Sequence, residues 1–337
     1  MKIIVTGGCG FIGSNFILKA IDSINGAEIL NIDKLSYAGN LENLSSLQDH
    51  QNYQFIRGDI CDPNFIIDVF DNFKPSKVVH FAAESHVDKS IDGPIDFINT
   101  NIFGTANLLH GSFVHFKQKY PNEFQFIHVS TDEVYGSLGE KGLFTENTPY
   151  DPKSPYSASK ASSDHLVRAW SNTYNIKSII TNCSNNYGPL QFPEKLIPLT
   201  ITKCLAHQKI PVYGDGSNIR DWLHVYDHCD ALLTVLNNGV NGETYNIGGD
   251  NQRTNIEIVN LICEILDEIA PSELFDSYKE LIQFTKDRPG HDFRYAIDST
   301  KIKEELGWTP KVEFEKGLKS TVKWYLKNKT WWKKLIF

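Results

Sequence analysis

The sequence predicts an α/β fold in which a doubly wound parallel sheet is followed by a smaller α+β region. Three observations carry that expectation. Short apolar runs alternate with helix-length segments through the first half, a glycine-rich turn joins the first run to the first helix, and the pattern changes after about Asn185. The chain has 337 residues, enough for about two domains. We read the division as 1–184 and 185–337, with 221–244 a candidate for return to the first.

The strand candidates are Lys2–Thr6, Ala27–Ile32, Tyr53–Arg57, Lys77–Ala82, Phe124–Ser130 and Lys177–Cys183. Each is short and rich in Ile, Val or Phe, as strands covered on both faces require. Between them lie helix candidates at 11–24, 63–73, 96–118 and 155–174. Beyond Asn185, Pro189, Pro193, Pro198 and Pro211 interrupt the chain, and Gly214-Asp215-Gly216 marks a turn. A helix near 255–269, a polar loop around 285–295 and an amphipathic end follow. That end carries Trp324, Trp331 and Trp332, whose rings suit core packing better than a ligand platform.

Composition excludes several classes. Lys and Arg total 33 against 41 Asp and Glu, a net charge of −8 that opposes nonspecific binding to nucleic acid or anionic membranes. Cys9, Cys61, Cys183, Cys204, Cys229 and Cys263 form no C-x-x-C pair, which argues against a zinc site or disulfide framework and fits a reducing cytoplasm. His224 and His228 stand four apart without a third ligand, so no metal is expected. The first apolar run is too short for a signal peptide, and no run approaches the ~18 residues of a membrane span. A soluble, cytoplasmic protein is expected.

The first strand enters Gly7-Gly8-Cys9-Gly10-Phe11-Ile12-Gly13 at the start of a helix. Glycines so spaced allow a tight turn and let backbone amides approach a pyrophosphate at the positive helix end. The second strand candidate leads to Asp33, 20 residues after Gly13, where a carboxylate would take ribose hydroxyls and favour NAD over its 2′-phosphorylated form. Farther on, Ser154 and Pro155 read as N-cap and first residue of a helix that sets Tyr156 and Lys160 four apart on one face. A phenol is a poor base at neutral pH unless nearby positive charge lowers its pKa. Lys160, the helix N-terminus and a bound nicotinamide cation are expected to do so.

The glycine motif, the Tyr156-x-x-x-Lys160 pair and the length resemble the extended short-chain dehydrogenase/reductase family. The resemblance implies a Rossmann-type NAD-binding domain. Tyr156 would take the proton from a sugar hydroxyl as hydride passes to NAD, and Lys160 would hold the nicotinamide ribose. It also implies NAD contacts at Gly7, Gly10, Phe11, Ile12, Gly13, Asp33, Lys34, Leu35, Ser36, Asp59, Ile60, Phe81, Ala82, Ala83, Ser85, Thr100 and Asn186.

The fifth strand candidate ends in Ser130-Thr131-Asp132-Glu133-Val134-Tyr135-Gly136. Strand ends at the carboxyl edge of such a sheet are where ligands bind. An acid and a base beside a hydride acceptor permit β-elimination once a sugar C4 hydroxyl has become a ketone, because the C5 proton is then acidic. Neighbouring residues of a regular strand face opposite ways, so the backbone must leave strand geometry for both carboxyls to serve one site.

Further strings narrow the resemblance to the nucleotide-sugar 4,6-dehydratases of that family: Asp33 to Asn40, Ala82 to Asp88, Asn185 to Pro189, Phe192 to Pro198 and Arg288 to Asp292. It implies Asp132 as general acid, Glu133 as base at C5 and Thr131 as positioner of the C4 hydroxyl. Dehydration of dTDP-glucose to its 4-keto-6-deoxy product, for deoxysugar or rhamnose synthesis, would follow, with NAD kept bound. Ser85, Asn185, Lys195, Leu196, Pro211, Tyr213, Arg220, Asn255, Arg288 and His291 would hold the nucleotide sugar. Phe293 departs from the common pattern by replacing a basic residue, which either weakens diphosphate contact or leaves Arg294 to supply that charge; a surface ion pair is the other reading for Arg294 and the one that suits Arg253. UDP-glucose as substrate, a nucleotide-sugar 4-epimerase and a non-catalytic NAD sensor are the alternatives. The helices at 96–118 and 155–174 carry surplus apolar residues, including Phe113, Phe116 and Trp170, and a homodimer through them is expected.

Overall fold

A computed structural model of the chain describes residues 1–119 and 124–336; the side chain of Phe116 lies outside the described residues. Strands β1 (Lys2–Thr6), β2 (Glu28–Asp33), β3 (Tyr53–Arg57), β4 (Lys77–His80), β5 (Gln125–Thr131), β6 (Ser178–Cys183) and β10 (Thr244–Ile247) form one sheet in the order β10-β6-β5-β4-β1-β2-β3. Every pairing within it is parallel. The order reverses between β1 and β4, so the loops leaving their carboxyl ends diverge and open a crevice there. All residues of β5 and β6 are buried, whereas edge strand β3 is largely open, which explains its weaker apolar run.

Helices α1 (Phe11–Ser23), α2 (Pro63–Phe73), α5 (Thr105–Lys119) and α6 (Pro155–Tyr174) lie near their expected places. The helix expected at 96–118 is present as one helical run from Pro94 to Lys119, with a π-helical stretch inside it. Helix α3 (Val87–Asp92) ends at Gly93, Pro94 restarts the chain as α4 (Pro94–Phe97), and a π-helical turn at Ile98–Gly104 precedes α5. Such a turn re-aims one residue, and here Asn101 is buried. Its amide accepts from the Glu84 backbone N–H at 2.8 Å and donates to the Glu84 carbonyl at 3.0 Å and the Ser159 hydroxyl at 2.8 Å.

The remaining elements are β7 (Asn185–Tyr187), α7 (Leu196–Leu205), β8 (Ile210–Tyr213), β9 (Ile219–His224), α8 (Val225–Asn238), β11 (Gln252–Thr254), α9 (Asn255–Ile269), β12 (Ile282–Thr285), α10 (Thr300–Leu306), α11 (Phe314–Lys327) and α12 (Lys329–Ile336). They add the small sheets β11-β9-β7 and β12-β8. Their core gathers Ile201, Val212, Ile258, Ile262, Leu318 and Tyr325, with Trp331 and Trp332 buried in it. Helix α8 and β10 go back to the first unit: Val225, Leu232 and Leu236 share the core of α1 and β1, and β10 extends the large sheet.

Among the described residues no helix is long and apolar enough to cross a membrane, and no group of His, Cys, Asp or Glu is placed to hold a metal ion. All six cysteines are free thiols.

Candidate active site

A cleft of about 470 Å³ runs along the carboxyl edge of the large sheet between the two cores. Its wall contains all the residues assigned above to cofactor, substrate or chemistry except Leu35. Leu35 sits in a left-handed turn (φ 56°), where its N–H donates to Asp33 Oδ1 at 2.8 Å while its side chain packs on the α1 core. It shapes the turn without facing the cleft.

At one end of the cleft the residues fit a dinucleotide. Gly7 has φ +72°, and a Cβ there would come within 2.6 Å of the Ala82 backbone nitrogen. A Cβ on Gly13 would strike the Gly7 carbonyl oxygen. The α1 N-cap is Gly10, with no side-chain cap and no acidic residue in the first turn, so its amides and dipole are available to an anion. Asp33 closes β2, and its carboxylate is oriented by the Cys9 N–H at 2.9 Å and that of Leu35. Lys34 pairs with Asp59 at 2.7 Å on the rim.

At the other end stand the chemical groups. The backbone leaves strand geometry at Asp132 for a 3-10 turn, Asp132–Tyr135, as the shared site required. Thr131 Oγ1 caps that turn by accepting from the Glu133 N–H at 3.3 Å, and it donates to Asp132 Oδ1 at 3.3 Å. Asp132 is 1% exposed and its Oδ2 has no hydrogen-bond partner. Burial, then the Glu133 charge, pushes its pKa well above the usual carboxylate range. Glu133 is raised by burial too, but Arg288, Lys195 and Arg220 oppose the shift. Two adjacent carboxyls thus sit in different fields, with Asp132 pushed up more strongly than Glu133.

Ser154 and Ser157 form a reciprocal capping box, with Pro155 in the first turn, so α6 begins where its sequence places it. Tyr156 is buried, and Lys160 Nζ donates to the Val129 carbonyl at 2.9 Å. The expected lowering of the Tyr156 pKa is not a property of these side chains. Burial first, then the Glu133 charge, raises the phenol well above its ordinary value, and Lys160 is turned to the β5 backbone. A hydrogen bond with Thr131 opposes the rise, and the positive charge of a bound nicotinamide ring would oppose it further.

The cationic wall comes from the other unit. Arg220 is 5% exposed, its Nη2 donating to the Asp292 carbonyl at 3.0 Å and its guanidinium lying 4.4 Å from the Tyr295 ring centroid. Lys195 Nζ donates to the Ser85 carbonyl at 2.8 Å, and Asn186 Oδ1 meets His228 Nδ1 at 2.9 Å. His228 therefore orients Asn186, and His224 Nδ1 caps α8 by accepting from the Tyr226 N–H at 3.2 Å. Arg253 makes the expected surface ion pair, with Glu315 at 2.8 Å. Arg294 does not supply the charge absent at Phe293: it is 6% exposed, lies off the cleft, and donates to the Gly139 and Gly142 carbonyls at 3.2 and 3.0 Å. Its guanidinium stitches a loop. Sequence reading assigned no role to Asn101, Asp88 or Glu194, although Asp88 and Glu194 lie within recognised strings, because each acts through contacts made on folding. Glu194, for instance, accepts from Tyr37 at 2.9 Å across 157 residues.

The family model for GDP-mannose 4,6 dehydratase matches residues 4–321. A dTDP-glucose 4,6-dehydratase of Neisseria meningitidis is 55% identical, the match covering 99% of this chain and 96% of the relative. The chain belongs to the dTDP-glucose 4,6-dehydratase family. The Escherichia coli enzyme of that name is 51% identical, over 100% of this chain and 96% of its own. Two solved structures of dTDP-glucose 4,6-dehydratases carry NAD. That of Bacillus anthracis has a TM-score of 0.88 at 48% identity and 99% coverage of both chains. That of Streptomyces venezuelae has a TM-score of 0.92 at 42% identity, covering 99% of this chain and 100% of its own.

Proposed function

We propose that this protein removes water from dTDP-glucose, giving the 4-keto-6-deoxy sugar nucleotide, with NAD kept in the cleft through each turnover. The observation that carries the reading is the carboxyl pair in the turn after β5: burial pushes Asp132 well above the usual carboxylate range while Arg288, Lys195 and Arg220 oppose the rise at Glu133, and both line the cleft that contains Tyr156. A 4-epimerase has use for Tyr156 and Lys160 but none for this pair.

Bound NAD supplies a hydride acceptor at C4 and a hydride donor at C6. Gly7, Gly10, Gly13 and Asp33 would hold its phosphates and ribose, and Lys160 its nicotinamide ribose. Tyr156 takes the C4 hydroxyl proton while the Thr131 hydroxyl holds that oxygen. The resulting ketone acidifies C5, and Glu133 removes its proton. Asp132 donates a proton to the C6 hydroxyl, which leaves as water. Hydride delivery to C6 and a solvent-derived proton at C5 would complete a cycle with no net redox change. Lys195, Arg220, Arg288 and Asn255 would hold the nucleotide and its diphosphate.

We further propose a homodimer. Ile95 (62% exposed), Ile98 (46%) and Phe103 (53%) leave large apolar side chains exposed along α4 and the π-helical turn, beside α6, which supports an interface there. Cytoplasmic placement is supported by six free thiols and the acidic net charge. Incubation with dTDP-glucose and no added NAD tests the activity: a 4-keto product is expected, whereas the galacto isomer or untouched sugar would contradict it.

A further inference from the structure

Three cationic or phenolic groups expected to hold the nucleotide sugar are anchored to one short stretch of the other unit. Lys195 donates to the Ser85 carbonyl. Arg288 Nη1 donates to Asp88 Oδ1 at 2.8 Å, and the Tyr213 hydroxyl donates to Asp88 Oδ2 at 3.1 Å. Asp88 lies in the first turn of α3, immediately after the Ala82–Ser85 wall of the dinucleotide end. Arg288 is 200 residues away in sequence, in the loop after β12, and Tyr213 ends β8.

A carboxylate in a pocket meant for a diphosphate repels the ligand, so its presence needs another reason. Arginine carries five N–H donors in a rigid fork. One Nη is committed to Asp88, and the Arg288 Nε is buried with no hydrogen-bond partner. A buried orphan donor on a cleft wall is costly unless a ligand oxygen satisfies it. Without Asp88 the long side chain would leave a polar loop with most of its rotamer freedom, which phosphate binding would have to remove. The pair is stable in this arrangement: hydrogen bonding and charge from Arg288 hold the Asp88 carboxyl below its usual range although burial opposes it.

We infer that Asp88 is a positioning residue for substrate binding: it fixes Arg288 and Tyr213 so that the free edge of the guanidinium meets the diphosphate. The inference rests on the dTDP-sugar reading above. It also makes the stretch that walls the dinucleotide end part of diphosphate recognition.

The test is a double-mutant cycle of Asp88→Ala and Arg288→Ala, read as dTDP and thymidine affinity on the NAD-loaded protein, with KM and kcat for dTDP-glucose. Asp88→Ala is expected to weaken dTDP by roughly tenfold while thymidine changes little, and to raise KM with kcat nearly unchanged. In the Arg288→Ala background it should add almost nothing. Asp88→Asn, which retains one acceptor, should fall between. Tighter dTDP binding by Asp88→Ala would show a competing anion and overturn the inference, as would additive losses or equal loss of thymidine. If the unaltered protein binds no dTDP, the substrate reading itself fails and the inference with it.

Discussion

The Ser130 hydroxyl donates to the Asp164 carboxylate at 3.0 Å, tying the end of β5, just ahead of the acidic turn, to the helix that presents Tyr156 and Lys160. The same carboxylate accepts from the Tyr150 hydroxyl at 2.8 Å and the Asn182 amide at 3.4 Å, and lies 3.2 Å from His128 Nε2. Asp164 has 0% exposure, so Asp164→Ala should cost roughly 3 kcal/mol in denaturant unfolding by stranding its buried partners. Its pKa is lowered from 3.8 despite burial, chiefly by the His128 contact. That contribution is complete above the unfolded value and is lost as pH falls through the folded one. Asp164→Asn should therefore reduce the loss of stability as pH falls below the ordinary carboxylate range.

Asp132 should behave in the opposite sense. Its pKa is raised in the folded protein, so its contribution is full below 3.8 and is lost as pH rises toward the folded value. Asp132→Asn removes that loss and should stabilise the fold by about 1 kcal/mol at neutral pH, read as a higher Tm. The same variant should lose ~10²-fold or more of its turnover, because an amide cannot donate the proton that releases the C6 hydroxyl. A gain in stability with a loss in rate would mark the carboxyl as kept for chemistry.

The glycine turn yields a cofactor prediction. Gly13→Ala forces a Cβ onto the Gly7 carbonyl, and Gly7→Ala sets one against Ala82 at a positive φ. Each should lower NAD affinity by ~10-fold or more in fluorescence titration and destabilise the apo chain by roughly 2 kcal/mol. Gly26→Ala also falls at positive φ but has open space around it, and should leave NAD affinity unchanged.

For the proposed dimer, Ile95→Glu and Phe103→Glu place charges on the exposed face without entering the core. Sedimentation velocity should show the unaltered chain as a dimer and the double variant as a monomer. A monomeric unaltered chain would remove the proposal.

The large sheet was legible because its strands are covered on both faces and so read as unbroken apolar runs. Strand β10, Thr244-Tyr245-Asn246-Ile247, was not: four residues with a buried Asn carry no distinctive pattern, and its place beside β6 is set by pairing. The break at Gly93-Pro94 could have been read from that dipeptide, but the π turn at Ile98–Gly104 could not, since Asn101 is drawn inward by contacts with Glu84 and Ser159. At the site, residue types and local turns were legible at Ser154–Lys160 and Thr131–Glu133. The Asp88–Arg288 and Tyr37–Glu194 contacts were not, because each joins residues brought together only by closure of the two units.

The central claim is that Glu133 and Asp132 eliminate water across C5 and C6 after oxidation at C4. Turnover of dTDP-glucose in deuterated water without added NAD, with the product read by NMR, tests it most directly. One deuterium at C5 and a methyl group at C6 are expected. A product unlabelled at C5, or one that keeps its 6-hydroxyl, would contradict the account.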